Sequence, residues 1–377
     1  MPPAAPDVHR LCTGSERIGS GEADQGARYG RGVLRRSIVF STNAFAPLAE
    51  LARGAEQAGL DRVWTTEFPD RDGLVRATVV GLATERIGVA TGIAYSFTRH
   101  PLALAAAALD VHEAIGGRFT LGLGTATAAM RSRWYGHDDG RPVARLADAV
   151  GLLRHAWAST GRFAHDGTFY RGRVEGLNLR ARAEALPPLE VYGSGLNEAM
   201  LHGAASCCDG VAVHPIATGP LYLERVVAPV LAAARRAHDD GDRPAGALWV
   251  ITQVDDDRER AVDRAKRALA FFFATPGYET AAAGEPWADA PQRIRRRFAE
   301  TKGDWTAVAA EVPDDMVDAM TLCGTPDEVA ERLPLLEARL ADLGVTEIVF
   351  QPGVELAEAD FVANCRSVFA VAARARS

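Results

Sequence analysis

The run Gly193-Ser194-Gly195-Leu196 stands just before a segment of helical periodicity. Free backbone N–H groups at a helix start, with a serine hydroxyl beside them, make an anion site. An ordinary strand-to-helix turn of small residues has the same composition, so this run alone leaves both readings open. Other short stretches carry polar or conformationally special residues: Ser41-Thr42-Asn43, Thr66-Glu67-Phe68, Gly92-Ile93-Ala94, Gly124-Thr125-Ala126-Thr127, His214-Pro215, Gln253 and Gln351-Pro352. The set holds one carboxylate, Glu67, and one imidazole, His214, among glycines and hydroxyls. That is too few ligands for a metal, which needs clustered His, Cys or carboxylate groups. A nucleophilic elbow is also absent, because it requires Gly-x-Ser-x-Gly. The set suits a large planar cofactor that carries a phosphate. Glu67 beside Phe68 would have a raised pKa if buried, as a proton donor or a hydrogen-bond anchor. It could equally brace Arg71 or a rim. Gly92-Ile93 is either a backbone position pressed against a ring or a glycine kink.

These stretches need elements that bring them together. Apolar, β-rich runs at 37–42, 61–66, 87–94, 118–123, 189–193, 209–214, 247–254 and 345–351 read as strands, and each chemistry-bearing stretch lies at the C-terminal end of one. Amphipathic or Ala-Leu-rich runs alternate with them, at 47–58, 73–85, 102–115, 141–159, 197–206, 221–238, 258–273, 325–343 and 358–374. Pro101 opens one helix and Gly116-Gly117 stops it; Thr325-Pro326-Asp327-Glu328 caps another. Asp166-Gly167 between alternating segments predicts a hairpin over 163–171. Eight β units each followed by α predict an α/β (β/α)8 TIM barrel, in which sites form at the C-terminal strand ends. A doubly wound sheet is the competitor, but no G-x-G-x-x-G follows the first strand. Residues 274–320 break the rhythm and read as an inserted helical segment before the last βα unit. Residues 1–36 read as an N-terminal extension, leaving 37–377 as the barrel domain.

The chain of 377 residues is 47% hydrophobic and 24% charged, enough to bury a sizeable core. A net charge of −7 gives no basic footprint for nucleic acid or anionic membrane. With no apolar run of about 18 residues and no signal-like start, a cytoplasmic protein is expected. Cys12, Cys207, Cys208, Cys323 and Cys365 fit reduced, buried thiols.

The stretches 55–67 (AEQAGLDRVWTTE), 84–105 (TERIGVATGIAYSFTRHPLALA), 116–124 (GGRFTLGLG), 141–154 (RPVARLADAVGLLR), 163–170 (FAHDGTFY), 209–215 (DGVAVHP) and 324–333 (GTPDEVAERL) together resemble the bacterial luciferase-like family. This is a family of TIM-barrel oxidoreductases that use FMN or the deazaflavin coenzyme F420. The turn Ser96–Pro101 is most similar to the F420-dependent branch. The resemblance implies a non-prolyl cis bond at Gly92-Ile93 whose bulge, with Ala94, backs a bent deazaflavin ring. It places Gly124, Thr125 and Thr127 beside the ring, and the cofactor phosphate at Gly193, Ser194, Gly195 and Leu196 near His214. Ser41 joins this cofactor set. Many members have acid-His at the second strand tip; here the pair is Glu67-Phe68, so only the acid carries over. The implied activity is hydride transfer between reduced F420 and a C=C or C=N bond of a small organic substrate, with Glu67 as the catalytic residue. The alternatives are an FMNH2-dependent monooxygenase fed by a partner flavin reductase, and a non-catalytic cofactor-binding protein. Phe68, Phe97, Met130 and Trp134, with Tyr135 and the 274–310 region, are expected to form an apolar substrate pocket. A homodimer through the small-residue face of residues 102–109 is expected.

Overall fold

The computed structural model describes residues 34–137, 140–237, 245–353 and 357–374. The strands are β1 (Arg35–Phe40), β2 (Arg62–Thr65), β3 (Gly88–Thr91), β4 (Ala94–Tyr95), β5 (Phe119–Gly124), β6 (Thr160–Asp166), β7 (Arg171–Asn178), β8 (Glu190–Gly195), β9 (Gly210–Val213), β10 (Ala245–Val254), β11 (Thr321–Gly324) and β12 (Glu347–Gln351). Parallel pairing runs β1-β2-β3-β5-β8-β9-β10-β12 and returns to β1, which closes an eight-stranded (β/α)8 barrel. All eight expected strands are present in it.

Three elements differ from expectation. β1 begins at Arg35, inside the expected extension, while residues 1–33 lie outside the described part. The run expected as one helix over 221–238 is broken by a wide-turn segment, Leu223–Val227, before a helix at Ala228–Ala237. Residues 274–320 do form helices, Ala290–Thr301, Trp305–Ala309 and Asp314–Met320, but the segment then enters β11. β11 pairs with the last four residues of β10, and Ile251 faces Thr321 on one edge and Gln351 on the other. β11 therefore takes the edge of β10 that β9 occupies lower down.

Period-2 alternation sorts the barrel interior into layers. The base layer is charged: Arg62 Nη1 lies 2.8 Å from Glu347 Oε2, Arg62 Nη2 lies 3.5 Å from Glu190, and Arg35 lies 3.7 Å from Glu347. Trp64 Nε1 donates to Glu347 at 2.8 Å, which satisfies the second carboxylate oxygen. The middle layer is apolar: Val39, Trp64, Ala90, Tyr192, Ala212, Ala247, Trp249 and Val349. Trp64 meets Trp249 edge-on at 4.7 Å and Tyr192 at 5.7 Å. Those bulky rings fit because their neighbours are small. A Cβ on Gly210 would lie 2.5 Å from the Tyr192 ring, and one on Gly122 would lie 1.9 Å from the Thr91 carbonyl. The top layer, two residues further along each strand, is the set of tips.

Outside the barrel, helix Pro101–Ala114 starts at its proline, with the His100 ring accepting from Leu102 N–H. Helix Pro326–Asp342 carries the expected Thr325/Glu328 capping box. β6 and β7 form the predicted hairpin as a separate antiparallel ribbon. Asp148 on helix Pro142–Trp157 fastens it, accepting from Tyr170 N–H at 3.1 Å and meeting His165 Nε2 at 3.0 Å. Cys207, Cys208, Cys323 and Cys365 are buried and unpaired by disulfide; Cys12 lies outside the described residues. Among the described residues no helix is long and apolar enough to cross a membrane.

Candidate active site

The top layer brings together Ser41, Thr66, Gly92, Gly124, Ser194, His214 and Gln351, one from each of seven neighbouring tips. The register keeps each in step with the inward residues below it. The predicted tips thus converge on one mouth.

The Gly92–Ile93 bond is cis. Gly92 N–H donates to Thr65 O at 2.7 Å, and a Cβ there would fall 2.9 Å from Trp249. Ile93 is then carried across the mouth, with its side chain over Gly124: a Cβ on Gly124 would lie 2.4 Å from Ile93 Cδ1. Ala94 rejoins the sheet through β4, opposite Leu123. Only glycine at 92 and 124 leaves room for this bulge.

Glu67 is buried at its base. Its carboxylate accepts from Arg99 Nη1 at 3.0 and 2.9 Å, from Thr98 Oγ1 at 3.2 Å and from Tyr95 N–H at 3.4 Å. Burial raises its pKa above the ordinary glutamate value, and Arg99 pulls back only part of that shift. Arg99 is fixed from the other side by Asp72, whose carboxylate also caps helix Gly73–Leu82 through Leu74 and Val75 N–H. Of the braces the sequence left open for Glu67, Arg71 or the rim, the observed partner is Arg99. Arg71 donates to Thr66 Oγ1 at 2.9 Å and to Asn43, and stacks over Phe68 at 4.5 Å. The Arg99 pairing escaped the sequence reading because it spans 32 positions. Its local trace was Asp72-Gly73, an N-cap signal whose second oxygen had no assigned use.

Several site residues have structural duties. Ser41 Oγ donates to the Pro352 and Gly353 carbonyls, both at 3.2 Å, tying β1 to the end of β12. Thr127 caps helix Ala128–Tyr135 through Met130 N–H, and Thr125 lies buried beside Met200. Arg131 pins that helix to the mouth through the Thr125 and Ala126 carbonyls, at 2.8 and 2.9 Å. The helix expected over 197–206 spans Glu198–Cys207, with Asn197 as its cap accepting from Met200 N–H. Gly193 and Gly195 bring helix Glu198–Cys207 close: added Cβ atoms would meet Ala204 Cβ at 2.6 Å and Leu201 N at 2.9 Å. Ser194 and Leu196 between and beyond them remain partly accessible. His214 accepts from Ile216 N–H at 3.4 Å and packs against Tyr278 and Phe272, at 4.8 and 5.0 Å between ring centres. Burial pushes its pKa down to about 3, so it is neutral near pH 7.

An aromatic wall flanks the mouth. Phe68 meets Trp134 at 5.5 Å, and Phe97 meets Tyr95, Tyr135 and His137 at 5.5, 5.4 and 5.6 Å. Met130 is partly exposed on the helix that carries Trp134 and Tyr135. Tyr95 and His137 were not anticipated in this wall; Tyr95 had a local signal in its i, i+2 spacing from Phe97, while His137 lies beyond helix Ala128–Tyr135 and had none. A cavity of about 320 Å³ lies elsewhere, lined by Arg258, Asp318, Cys323, Glu328 and Arg332, and holds none of the tip residues. Its arginines are engaged: Arg258 pairs with Glu328, and Arg332 donates to the Cys323, Asp318 and Thr321 carbonyls.

Small tips and a bulge that needs glycine at positions 92 and 124 leave room for a flat redox coenzyme. Fold and site define a (β/α)8-barrel oxidoreductase. The chain belongs to the luciferase-like monooxygenase family, whose model matches residues 22–346. It is 28% identical over 298 residues to the 5,10-methylenetetrahydromethanopterin reductase of Archaeoglobus fulgidus, covering 78% of this chain and 86% of that one. The coenzyme F420-dependent tetrahydromethanopterin reductase of Methanopyrus kandleri has the same fold, with TM-score 0.72 and 21% identity over 89% of this chain and 97% of that one. So does the oxygenating constituent of 3,6-diketocamphane monooxygenase from Pseudomonas putida, a type II Baeyer-Villiger monooxygenase in complex with FMN. There the TM-score is 0.65 and the identity 15%, over 91% of this chain and 99% of that one.

Proposed function

We propose that this protein is a coenzyme F420-dependent oxidoreductase acting on a C=C or C=N bond of a small organic substrate. The observation that carries the reading is the convergence of small tips under the Gly92–Ala94 bulge, with a buried carboxylate at its base. The 28% identity with a methylenetetrahydromethanopterin reductase supports the F420 branch. When bound, the deazaflavin supplies a hydride. Gly92, Ile93 and Ala94 back its ring, and Gly124 and Thr125 flank it. Ser194 and the N–H groups beside it, near neutral His214, hold the anionic tail. Ser41 and Thr127 shape the mouth while performing their backbone duties. Glu67 is the residue that manages the proton accompanying hydride transfer, since its raised pKa brings it nearer to neutrality than a surface glutamate. Phe68, Phe97, Met130 and Trp134 face the substrate. The active form is a homodimer. Leu104, Ala105, Ala108 and Leu109 are buried within the chain, so its contact on helix Pro101–Ala114 uses Ala103, Ala106 and Ala107.

The fold shared with an FMN-bound Baeyer-Villiger monooxygenase favours a second reading, an FMNH2-dependent monooxygenase supplied by a flavin reductase. Titration with F420 and with FMN, followed by fluorescence quenching, separates the two. Quenching of F420 in the micromolar range or tighter supports the first. Tight FMN binding without F420 binding, with oxygen uptake on supplied FMNH2, supports the second. Binding without turnover on any substrate panel would mark a carrier instead.

A further inference from the structure

We propose that the Tyr95 hydroxyl is a specificity-determining group that donates a hydrogen bond to a neutral substrate acceptor, the oxygen of a conjugated carbonyl or the nitrogen of a C=N bond, on a flat molecule lying against the aromatic wall. Its part in hydride transfer rests on the coenzyme reading above. Register sets where the side chain points. Gly122 pairs with Tyr192, and an added Cβ there would lie 3.2 Å from Trp64, so position 122 faces the barrel interior. Gly124, two residues on, faces the same way at the mouth. Tyr95 is the parallel partner of Gly124, while Ala94 pairs with Leu123 in the outer core, so β4 turns the Tyr95 side chain inward at the mouth. Ser96 N–H donates to the Gly124 carbonyl at 2.9 Å and fixes that register.

Tyr95 is 3% exposed and its ring is held on two sides, stacked on Phe97 at 5.5 Å between centres and 22° between planes, and met edge-on by Tyr135 at 5.8 Å. Its backbone is used: the N–H donates to Glu67 at 3.4 Å, and the carbonyl accepts from Thr98 Oγ1 at 3.2 Å. Its hydroxyl has no hydrogen-bond partner among the described residues. Burial pushes the Tyr95 pKa up, so the oxygen keeps its proton near pH 7 and is a donor. A hydroxyl held in an apolar wall without a partner is unfavourable, and a bound acceptor would relieve it. The Glu67 carboxylate beside Tyr95 disfavours an anion there, which selects a neutral acceptor. A hydrogen bond to that heteroatom draws electron density away from the C=C or C=N bond that takes the hydride.

The test is spectral titration of wild type and Tyr95→Phe with para-dimethylaminocinnamaldehyde, whose absorption moves to longer wavelength when its carbonyl oxygen accepts a hydrogen bond. Each protein is titrated as purified and after addition of oxidised F420 or FMN. Wild type should bind the probe with that shift. Tyr95→Phe should bind it about fivefold more weakly, as for loss of one neutral hydrogen bond, and without the shift. The analogue with a terminal methylene in place of the carbonyl oxygen should bind both proteins alike, which shows that the variant keeps its wall. A variant whose bound probe retains the shift overturns the assignment, as does a wild type that binds the probe unshifted or not at all. Equal weakening of probe and analogue in the variant also overturns it, since the ring would then act by packing alone. Coenzyme titration reads the other claim separately. If neither F420 nor FMN binds while the shift still depends on Tyr95, the coenzyme reading fails and the hydrogen bond stands.

Discussion

Glu67 is held by groups that oppose one another. Burial favours its neutral form, while Arg99, Thr98 and Tyr95 N–H favour the carboxylate. A raised pKa means that the folded protein keeps the proton to higher pH than an unfolded glutamate does. If Glu67 donates the proton, turnover should fall as pH rises through that raised value, and Glu67→Gln should abolish this limb. The same variant should lower kcat by about 10²- to 10⁴-fold, as expected for loss of a general acid, with coenzyme affinity unchanged. Stopped-flow hydride transfer between pH 4 and 9 reads both effects. Unchanged kcat would reduce Glu67 to a brace for Arg99. The acid itself was readable in the sequence as the lone carboxylate at a strand tip. Its partner was not, because an ion pair spanning 32 positions leaves no local pattern.

At the scale of elements, glycines set how closely strands and helices approach. Gly193 faces Ala204 on helix Glu198–Cys207, and an added methyl would sit 2.6 Å from its Cβ and 2.9 Å from Cys208 Sγ. Gly193→Ala should push the helix outward, lowering stability by about 1–3 kcal/mol, as overpacked cores do. Melting curves give the stability loss, and it should come with weaker coenzyme binding because Ser194 moves with the helix start. Gly136→Ala is the milder control: nothing lies within 4 Å of the added carbon, although φ is +68°. Element order was legible because each strand-helix alternation carries its own periodicity, and Pro101, Thr325-Pro326 and Asp166-Gly167 punctuate it. β11 was not legible. Thr321–Gly324 is four residues long and follows directly on helix Asp314–Met320; only pairing with β10 makes it a strand. The break at Leu223–Val227 also leaves the helical spacing of apolar residues intact, so periodicity passes over it.

Taken whole, the barrel is charged at its base, aromatic in its middle and small at its mouth. Burial pushes the Glu347 pKa up, but Arg62 and Arg35 more than offset that and hold it below the ordinary value. A depressed carboxylate stabilises the fold above its unfolded pKa, and the contribution is lost as pH falls through the folded one. The protein without coenzyme should therefore lose stability on acidification below about pH 4.5, the ordinary glutamate value. Glu347→Ala should cost about 3–5 kcal/mol at neutral pH by leaving Arg62 buried without its closest partner. It should also flatten the acid limb of the melting temperature against pH. An equal loss at pH 3 and pH 7 would show that packing, not charge, holds the base. Closure of the ring could be inferred from eight repeats; its contents could not, since inward and outward residues are alternately apolar and indistinguishable until register is known.

The eight strands close through β9 and β10 beneath the point where β11 joins, so the ring does not depend on β11 for its integrity. Residues 274–324 thus form a collar on a ring that closes without them, while their buried side chains share its outer core. They touch the mouth through Tyr278 against His214 and through the Met320 carbonyl, which accepts from Thr218. Exchanging the collar for one of another length would re-cut the entrance above strands that stay paired, provided that the new segment fills the same outer core.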